Sequence, residues 1–300
     1  MNTVEAKTEI SVAICTINAD KYIGKCLSSL MDQTFNDFEI IIVEDPPFDR
    51  TKKIIHAFGE KKIRYTRNQK YLGLTKSRNR SVELAEGNYI FFTDADCIVS
   101  KKWIEQGLKS LRRRDCIGVE GRTHYVSEEY QPSYSDAHSY VENRNGGLFM
   151  TCNMAYKKSI LDCLGGFDET FVNSEDRDLA LRAMKIGKIQ FNPEMLVYHQ
   201  KITQKPRKFS QMGKYIKYAH PKVLLFKKSG DKPFSLWRIV SPLNLATILF
   251  PPLVLTTLLF KFKSFRTMED LNLLPYIYLD AVFERLQIWK TCARERVFLI

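Results

Sequence analysis

Two carboxylates one residue apart close a short apolar segment of the chain. Tyr89–Phe92 has the composition of a buried strand, and Asp94 and Asp96 follow it directly. In an open α/β sheet, ligands bind beyond the carboxyl ends of the strands. Carboxylate oxygens are also the ligands that a hard divalent cation prefers. The pattern therefore indicates a site where a cation is held against a phosphate.

Two further acidic pairs stand where such a site would need them. Glu44–Asp45 follows the apolar, β-branched segment Phe38–Val43, and its carboxylates can accept hydrogen bonds from a nucleobase N–H or from ribose hydroxyls. Glu175–Asp176 follows Ser174 at the start of a predicted helix. The alternative for this last pair is structural, because serine is a good N-cap and acidic residues stabilise a first helical turn.

Two arginines precede the Asp94 segment. Arg78 and Arg80 carry forked guanidinium groups that match a diphosphate. Arg78 has a simpler alternative, which is an ion pair with an acid on its own predicted helix, such as Glu83.

The elements that must position these residues alternate between strand and helix. Periodicity predicts strands at Ile10–Ile14, Phe38–Val43, Ile63–Thr66 and Tyr89–Phe92, separated by helices at Lys21–Met31, Thr51–Phe58 and Thr75–Ala85. Further on, it predicts a strand at Leu148–Tyr156, a helix from Ser174 to about Lys185 and a strand-like run at Asn192–Tyr198. Gly87 and Gly187 are expected to end helices. Tyr125–Gly147 is expected to be irregular or loop-rich, with Asn143–Gly147 as a loop on the acceptor side. The fold class is therefore α/β, with a mainly parallel, Rossmann-like sheet flanked by helices.

Charge and cysteine content restrict the partners and the compartment. The net charge is +12, and the stretch Lys201–Arg238 is rich in lysine and arginine, which favours an anionic partner over a merely solvated face. The stretch contains no recognisable nucleic-acid-reading motif, so phospholipid or a pyrophosphate-bearing substrate is expected and nucleic acid is not. Seven cysteines without a Cys-x-x-Cys pair indicate neither a zinc site nor a disulfide framework. Met1–Glu9 has no apolar run, so a reducing, cytosolic setting is expected.

The C-terminal part differs from the rest. Ile239–Phe260 comprises 22 residues without a charge, interrupted by Pro242, Pro251 and Pro252. Beyond Pro275, apolar and charged residues alternate with helical spacing, which is typical of an amphipathic helix. The expectation is in-plane attachment to a membrane, and a spanning helix or a buried soluble hairpin remain the alternatives.

Taken together in order, the motifs resemble the family 2 glycosyltransferases over about residues 9 to 200. The segments that carry the resemblance are Ile14–Asn18, Ile41–Asp45, Gly73–Asn79, Ala85–Asp96, Gly165–Phe171 and Glu175–Arg182. The resemblance implies a GT-A fold, a nucleoside-diphosphate sugar as donor, expected to be a UDP-sugar, and Mg²⁺ or Mn²⁺ as cofactor. It departs from the family at one point, because Pro46–Pro47 stands where Gly-Ser is usual, which stiffens the turn and removes two backbone donors.

The resemblance also implies roles for individual residues. Thr16 and Asp45 would line the nucleobase pocket, and Asp94 would contact the ribose or the sugar. Asp96 would ligate the metal, and His199 would add a further metal or phosphate contact. The remaining implied or inferred roles are donor binding by Arg78 and base catalysis by Asp176 together with Glu175.

The resulting hypothesis is an inverting, metal-dependent glycosyltransferase at the cytoplasmic face of the cell membrane, peripheral or monotopic. It would act on a glycan or a polyprenyl-linked acceptor. The expected domains are a GT-A domain at 1–231 and a membrane-associated helical tail at 232–300. The GT-A domain would comprise a nucleotide-binding half at about 9–100, an acceptor half at 101–205 and a basic connector at 206–231. The alternatives are a nucleotidyltransferase and a non-catalytic membrane-bound scaffold with a degenerate domain.

Overall fold

The computed structural model describes residues 8–59, 61–125, 142–200, 211–229 and 274–297. The chain divides into two compact units, Met1–Ser127 with Val141–Lys201 and Glu128–Tyr140 with Ile202–Ile300. The domain boundary expected between 231 and 232 stays a prediction.

The first unit contains eight named strands and six helices in its described part. The strands are β1 Ile10–Thr16, β2 Phe38–Glu44, β3 Ile63–Arg67, β4 Tyr89–Thr93, β5 Cys97–Val99, β6 Cys116–Tyr125, β7 Asn153–Lys157 and β8 Lys188–His199. The helices are α1 Ile23–Met31, α2 Thr51–Ala57, α3 Leu74–Leu84, α4 Trp103–Leu111, α5 Lys158–Leu164 and α6 Glu175–Met184.

All eight strands form one sheet in the order β3-β2-β1-β4-β7-β6-β8-β5. The half that contains β1 to β4 is parallel, whereas β7 runs antiparallel to both β4 and β6, and β5 runs antiparallel to β8. The strand order reverses at β1, which has β2 on one side and β4 on the other. Such a switch point opens a crevice at the carboxyl ends of the strands, where ligands bind.

Helices cover both faces of this sheet, so its strands are apolar on both sides. Along β1, Val12 and Ile14 belong to the core under α1, α2 and α4, while Ala13 and Cys15 belong to the core under α3, α5 and α6. Helix α1 presents its apolar residues at i, i+3, i+4 and i+7, which are Ile23, Cys26, Leu27 and Leu30, all buried.

The predicted α/β class is confirmed, and several local predictions need correction. The periodicity did not indicate β5, α4, β6 or α5, and the strand predicted at Leu148–Tyr156 begins only at Asn153. Gly87 does not cap a helix, since α3 ends at Leu84 with Ala85 extended. A Cβ at Gly87 would lie 2.5 Å from the backbone nitrogen of Ser11, so this glycine allows the chain to pass close to β1.

In the second unit the structure describes two helices, α7 Gln211–Ser229 and α8 Leu274–Arg294. They are joined through a small apolar cluster that includes Val223 and Ile288. Helix α8 confirms a helix beyond Pro275; Ile288 on this helix is buried, whereas Leu286 is 49% exposed. None of the described helices has the length and apolarity required to cross a membrane. The uncharged run Ile239–Phe260 lies outside the described residues.

Candidate active site

The predicted site residues of the first unit gather at the carboxyl edge of the sheet, around the switch point. Asp94 and Asp96 follow β4 in the turn that leads to β5. The two carboxylates diverge: an Oδ1 of Asp94 lies 3.7 Å from an Nη2 of Arg78, and Oδ1 of Asp96 lies 3.6 Å from Nε2 of His199. Each aspartate therefore has a separate cationic or imidazole neighbour.

Strand pairing brings His199 to Asp96 across a hundred residues of sequence. In the antiparallel pair of β5 and β8, Cys97 lies opposite His199, and the Gln200 N–H donates to the Asp96 carbonyl at 2.8 Å. Nδ1 of His199 faces the Gln200 carbonyl at 3.2 Å, which leaves Nε2 directed at Asp96. Burial raises the pKa of the Asp96 carboxyl; the His199 imidazole lowers it and nearby Asp94 adds to the increase.

The donor atoms of Asp96, Cys97 and His199 all lie within 4.8 Å of one another. A carboxylate oxygen and an imidazole nitrogen at this separation suit a divalent cation. Asp96 is largely buried and lies near a second carboxylate, Asp94, and both features disfavour its charged form. A bound cation would offset the negative charges of both residues.

Arg78 lies at the centre of the site and is almost completely buried. Its side chain is 6% exposed and forms an ion pair with Glu175, whose side chain is 7% exposed, while its second terminal nitrogen faces Asp94. The alternative partner Glu83 is not the one that it contacts. Arg80 is occupied elsewhere: it donates to Thr66 at 2.9 Å and to the Arg67 carbonyl at 3.2 Å, so it holds the end of β3.

Asp176 stands beside this ion pair at the first turn of α6. Its carboxylate accepts from the Arg177 N–H at 2.8 Å and also receives a backbone hydrogen bond from Thr151. Burial and the negative charge of Glu175 raise its pKa to about 6, although Arg78 and the two backbone donors oppose the shift. A carboxylate with this pKa is suited to accept a proton near neutral pH.

Of the structural alternative for Glu175–Asp176, the serine cap is absent, whereas acidic residues do occupy the first turn of α6. Ser174 has a positive φ of 67°, and its side chain makes no capping bond to the helix. Its hydroxyl instead donates to Oδ1 of Asn173 at 3.1 Å. Glu175 faces Arg78, so only Asp176 contacts a backbone N–H at the start of the helix.

The predicted base pocket at the ends of β1 and β2 is organised by Asp45. This carboxylate is 5% exposed and accepts from the Asn68 amide at 2.5 Å, from the Gly73 N–H at 2.8 Å and from the Leu72 N–H at 3.3 Å. It therefore shapes the loop that leads into α3. Sequence reasoning did not single out Asn68, although it follows β3 directly.

Two other polar atoms of this pocket have no hydrogen-bond partner in the described part of the chain. They are Oγ1 of Thr16 and Oε1 of Glu44, both buried. Thr16 and Glu44 are register neighbours on β1 and β2. The other oxygen of Glu44 accepts from Arg67 Nε at 2.8 Å, and the Arg67 guanidinium lies 4.2 Å from the exposed ring of Phe48. A buried polar atom without a hydrogen-bond partner is costly. These two atoms therefore mark a place where a ligand can provide the missing partners.

Glu120 is a structural residue of the site that sequence reasoning missed. Glu120 on β6 accepts from the N–H groups of Gly147, Leu148 and Phe149 and thereby holds the loop that passes beside α6. The loop in turn contacts Arg177, which donates to the Gly147 carbonyl at 3.2 Å. A lone glutamate within a strand gives no signal by spacing, because its three partners lie 27 to 29 residues further along the chain.

Asn79 connects two of the sequence motifs. Its side-chain amide pairs with one peptide unit, donating to the Phe167 carbonyl at 2.9 Å and accepting from the Phe167 N–H at 2.8 Å. A Cβ at Gly166, which has φ +72°, would lie 2.5 Å from Oδ1 of Asn79. The glycine-rich turn and α3 therefore depend on each other.

Comparison with known proteins agrees with this geometry. A family model described as Glycosyl transferase family 2 matches residues 11–167. An uncharacterised glycosyltransferase of Methanocaldococcus jannaschii is 30% identical over 192 residues, which cover 59% of this chain and 65% of that protein. Chondroitin synthase of Escherichia coli is 26% identical over 189 residues, which cover 59% of this chain and 27% of that protein. The matched region thus spans less than two thirds of either relative.

Solved structures share the fold at low sequence identity. The mannosyltransferase PcManGT of Pyrobaculum calidifontis, in complex with GDP-Man and Mn²⁺, superposes with a TM-score of 0.63 at 15% identity, covering 97% of this chain and 89% of that chain. TarS of S. aureus, in complex with UDP-GlcNAc, superposes with a TM-score of 0.60 at 19% identity, covering 97% of this chain and 93% of that chain. The α/β arrangement of the first unit is therefore a GT-A fold.

Proposed function

Because the chain belongs to glycosyl transferase family 2, we propose that it transfers a sugar from a nucleoside-diphosphate donor to a hydroxyl group of a glycan acceptor. The observation that carries this proposal is the placement of Asp96 with His199, and of Arg78 with Glu175 and Asp176, around one crevice at the switch point. A nucleotidyltransferase has no need of the Glu175–Asp176 pair. A degenerate scaffold has no reason to retain a buried carboxylate whose pKa is raised to about 6.

Donor binding involves two ends of the crevice. The unpartnered Thr16 hydroxyl and Glu44 oxygen, on the framework set by Asp45, would hydrogen-bond the nucleobase and ribose. Asp96 and His199 would hold Mg²⁺ or Mn²⁺, and the cation when bound neutralises the charge that develops on the leaving diphosphate. Asp94, which is 32% exposed, would orient the ribose or the sugar. We propose a UDP-sugar as the donor.

Asp176 is the proposed base. It would take the proton of the acceptor hydroxyl while the oxygen attacks the anomeric carbon, so that the new C–O bond forms as the bond to the diphosphate breaks. A single attack from the face opposite the leaving group inverts the configuration at that carbon. Glu175 holds the Arg78 guanidinium in place through their ion pair. It therefore acts as a positioning residue, because Arg78 in turn interacts with the charges of Asp94 and Asp176.

The proposed acceptor is a polysaccharide or a lipid-linked glycan, and the proposed location is the cytoplasmic face of the membrane. Support for the first comes from the relative named chondroitin synthase. Support for the second is the basic character of the second unit, where α7 carries several lysines and has Lys227 and Lys228 in its last turn. Basic residues near anionic head groups contribute about 1 kcal/mol each.

The test is metal-dependent nucleotide binding by the full chain. Calorimetry with UDP and Mn²⁺ should show binding by the wild type, none by Asp96→Ala, and unchanged binding by the exposed control Asp115→Asn. A thermal-shift screen of UDP-, GDP- and dTDP-sugars then identifies the donor, because a ligand at about 100 times its Kd stabilises by about 2.7 kcal/mol. Equal affinity of wild type and Asp96→Ala would overturn the metal assignment.

A further inference from the structure

We infer that Cys97 is a third ligand of the Asp96–His199 site when a thiophilic cation such as Zn²⁺ occupies it. With this ligand the site binds Zn²⁺ in preference to Mn²⁺ or Mg²⁺, and the zinc-bound site no longer binds the nucleotide-sugar donor. The inference rests on the metal site of the proposed function. It adds a ligand and a metal class to that site.

The spacing of the donor atoms matches a tetrahedral zinc centre. With Zn–O and Zn–N bonds of about 2.0–2.1 Å and a Zn–S bond of about 2.3 Å, neighbouring ligand atoms lie about 3.3 Å apart for O and N and about 3.5 Å apart for S and O. The observed separations are 3.6 Å between Oδ1 of Asp96 and Nε2 of His199, and 3.9 Å between Sγ of Cys97 and the same oxygen. The third pair, Sγ of Cys97 and a ring nitrogen of His199, lies within 4.8 Å. Modest side-chain adjustments would therefore bring all three atoms to bonding distance of one ion.

The backbone holds the three ligands in place independently of any cation. Cys97 and His199 are opposite each other in the antiparallel pair of β5 and β8. Asp96 is tied to the same pair by the hydrogen bond from Gln200. Because both strands lie within the sheet, side-chain rotation is sufficient to form the site, and no loop has to close over it.

The chemistry of the third ligand determines which cation benefits. Hard cations such as Mg²⁺ prefer oxygen and gain little from sulfur, whereas zinc binds thiolate strongly. A cysteine that coordinates a dication does so as the thiolate, and the proton that it releases passes to the buffer.

The number of ligands explains the loss of donor binding. An octahedral cation held by Asp96 and His199 keeps four positions for the diphosphate and water. A tetrahedral zinc ion held by Asp96, Cys97 and His199 keeps one. A diphosphate that chelates through two oxygens needs two positions, so zinc in this geometry excludes it.

The first test uses Co²⁺ as a spectroscopic probe of the full-length protein. A cysteine ligand gives an intense thiolate-to-cobalt charge-transfer band, which we expect in the wild type and in Cys163→Ser, whose cysteine is exposed, but not in Cys97→Ser. We expect Zn²⁺ affinity to fall at least 10-fold in Cys97→Ser and to stay unchanged in the exposed control Cys163→Ser. Zn²⁺ should also displace UDP from the Mn²⁺-loaded wild type at lower concentrations than from Cys97→Ser.

A measurement without substitution guards against a variant that does not fold. X-ray absorption of the zinc-loaded wild type should show one sulfur scatterer at about 2.3 Å. Mn²⁺-dependent UDP binding without a sulfur scatterer or a charge-transfer band would overturn this inference and leave the proposed function standing. Absence of both Mn²⁺-dependent UDP binding and Co²⁺ binding would overturn the two together. Retention of the band in a folded Cys97→Ser protein would assign the sulfur to another cysteine and refute the role of Cys97.

Discussion

Arg78 on α3 and Glu175 on α6 form a buried ion pair between positions 97 residues apart in the sequence. The pair joins the two halves of the crevice, because Arg78 also faces Asp94 and Glu175 immediately precedes Asp176. The proposed sugar-binding aspartate and the proposed base thus both depend on one charge pair.

Removing one member of this pair should be costly. We expect Glu175→Leu to lower the free energy of unfolding by about 3–5 kcal/mol, since it leaves the Arg78 charge buried and unpaired. The double variant Arg78→Met with Glu175→Leu should recover most of the stability and remain inactive. Urea unfolding and a transfer assay separate the two effects.

The control for that experiment is an exposed pair. Lys101 and Asp32 lie 3.7 Å apart with 67% and 70% exposed side chains, so Lys101→Ala should change stability by less than about 1 kcal/mol. A similar loss of stability in Glu175→Leu and in Lys101→Ala would mean that the buried Arg78–Glu175 pair stabilises the fold no more than an exposed pair does.

Asp176→Asn should remove catalysis and preserve the fold. Asparagine keeps the shape and an acceptor oxygen for the Arg177 N–H but cannot take a proton, so turnover should fall by about 10²–10⁴-fold while donor affinity stays within a few-fold. Single-turnover kinetics and calorimetry measure the two quantities. Turnover equal to that of the wild type would return Asp176 to a purely structural role.

Ionisation of Asp176 should raise activity and lower stability as the pH increases. With the pKa of Asp176 raised to about 6, kcat/KM should rise with pH through about 6, because only the carboxylate accepts a proton.

Between the ordinary value of 3.8 and about 6, the folded state binds more protons than the unfolded state, so the contribution of Asp176 to the free energy of unfolding falls as pH rises. Above about pH 6, Asp176→Asn should therefore be at least as stable as the wild type. Urea unfolding of both proteins from pH 4 to 8 checks the sign, and a difference that grew in favour of the wild type with pH would contradict it.

Two adjacent glycines offer a matched pair. Gly165 and Gly166 both have positive φ, near 70°, so alanine at either should cost about 1–2 kcal/mol of backbone strain. Only at Gly166 would a Cβ also meet Oδ1 of Asn79, at 2.5 Å, and break its pairing with Phe167. Gly166→Ala should thus be clearly less stable than Gly165→Ala in chemical denaturation, and equal losses would show that the Asn79 contact contributes nothing.

The position of the boundary between the two units determines which C-terminal truncation leaves no helix without its partner. Removal of Ile202–Ile300 should release the protein from anionic liposomes, with flotation compared at low and high salt. A cut at 231/232 should instead yield an aggregating protein, because it retains α7 without α8 and leaves Val223 uncovered. Full-length protein that does not float with liposomes would contradict the membrane proposal.

The sequence by itself was sufficient for the α/β class, the first four strands and the acidic residues that follow them. Buried parallel strands are continuous apolar runs, and their carboxyl ends meet at one edge, so Asp45 and Asp94 could be placed together without coordinates. The metal role of Asp96 and the metal or phosphate role of His199 came from the family resemblance, and both stay predictions.

Tertiary structure decided which partner each side chain has. The partnership of Arg78 with Glu175, the role of Asp45 in shaping a loop, and the position of Cys97 beside His199 depend on pairings between distant segments. Local periodicity carries no information about such pairings, because β5 is three residues long and the partner strand follows about a hundred residues later. The cysteine spacing gave no hint of the proposed zinc site for the same reason: Cys97 and His199 lie side by side only in the antiparallel pair of β5 and β8.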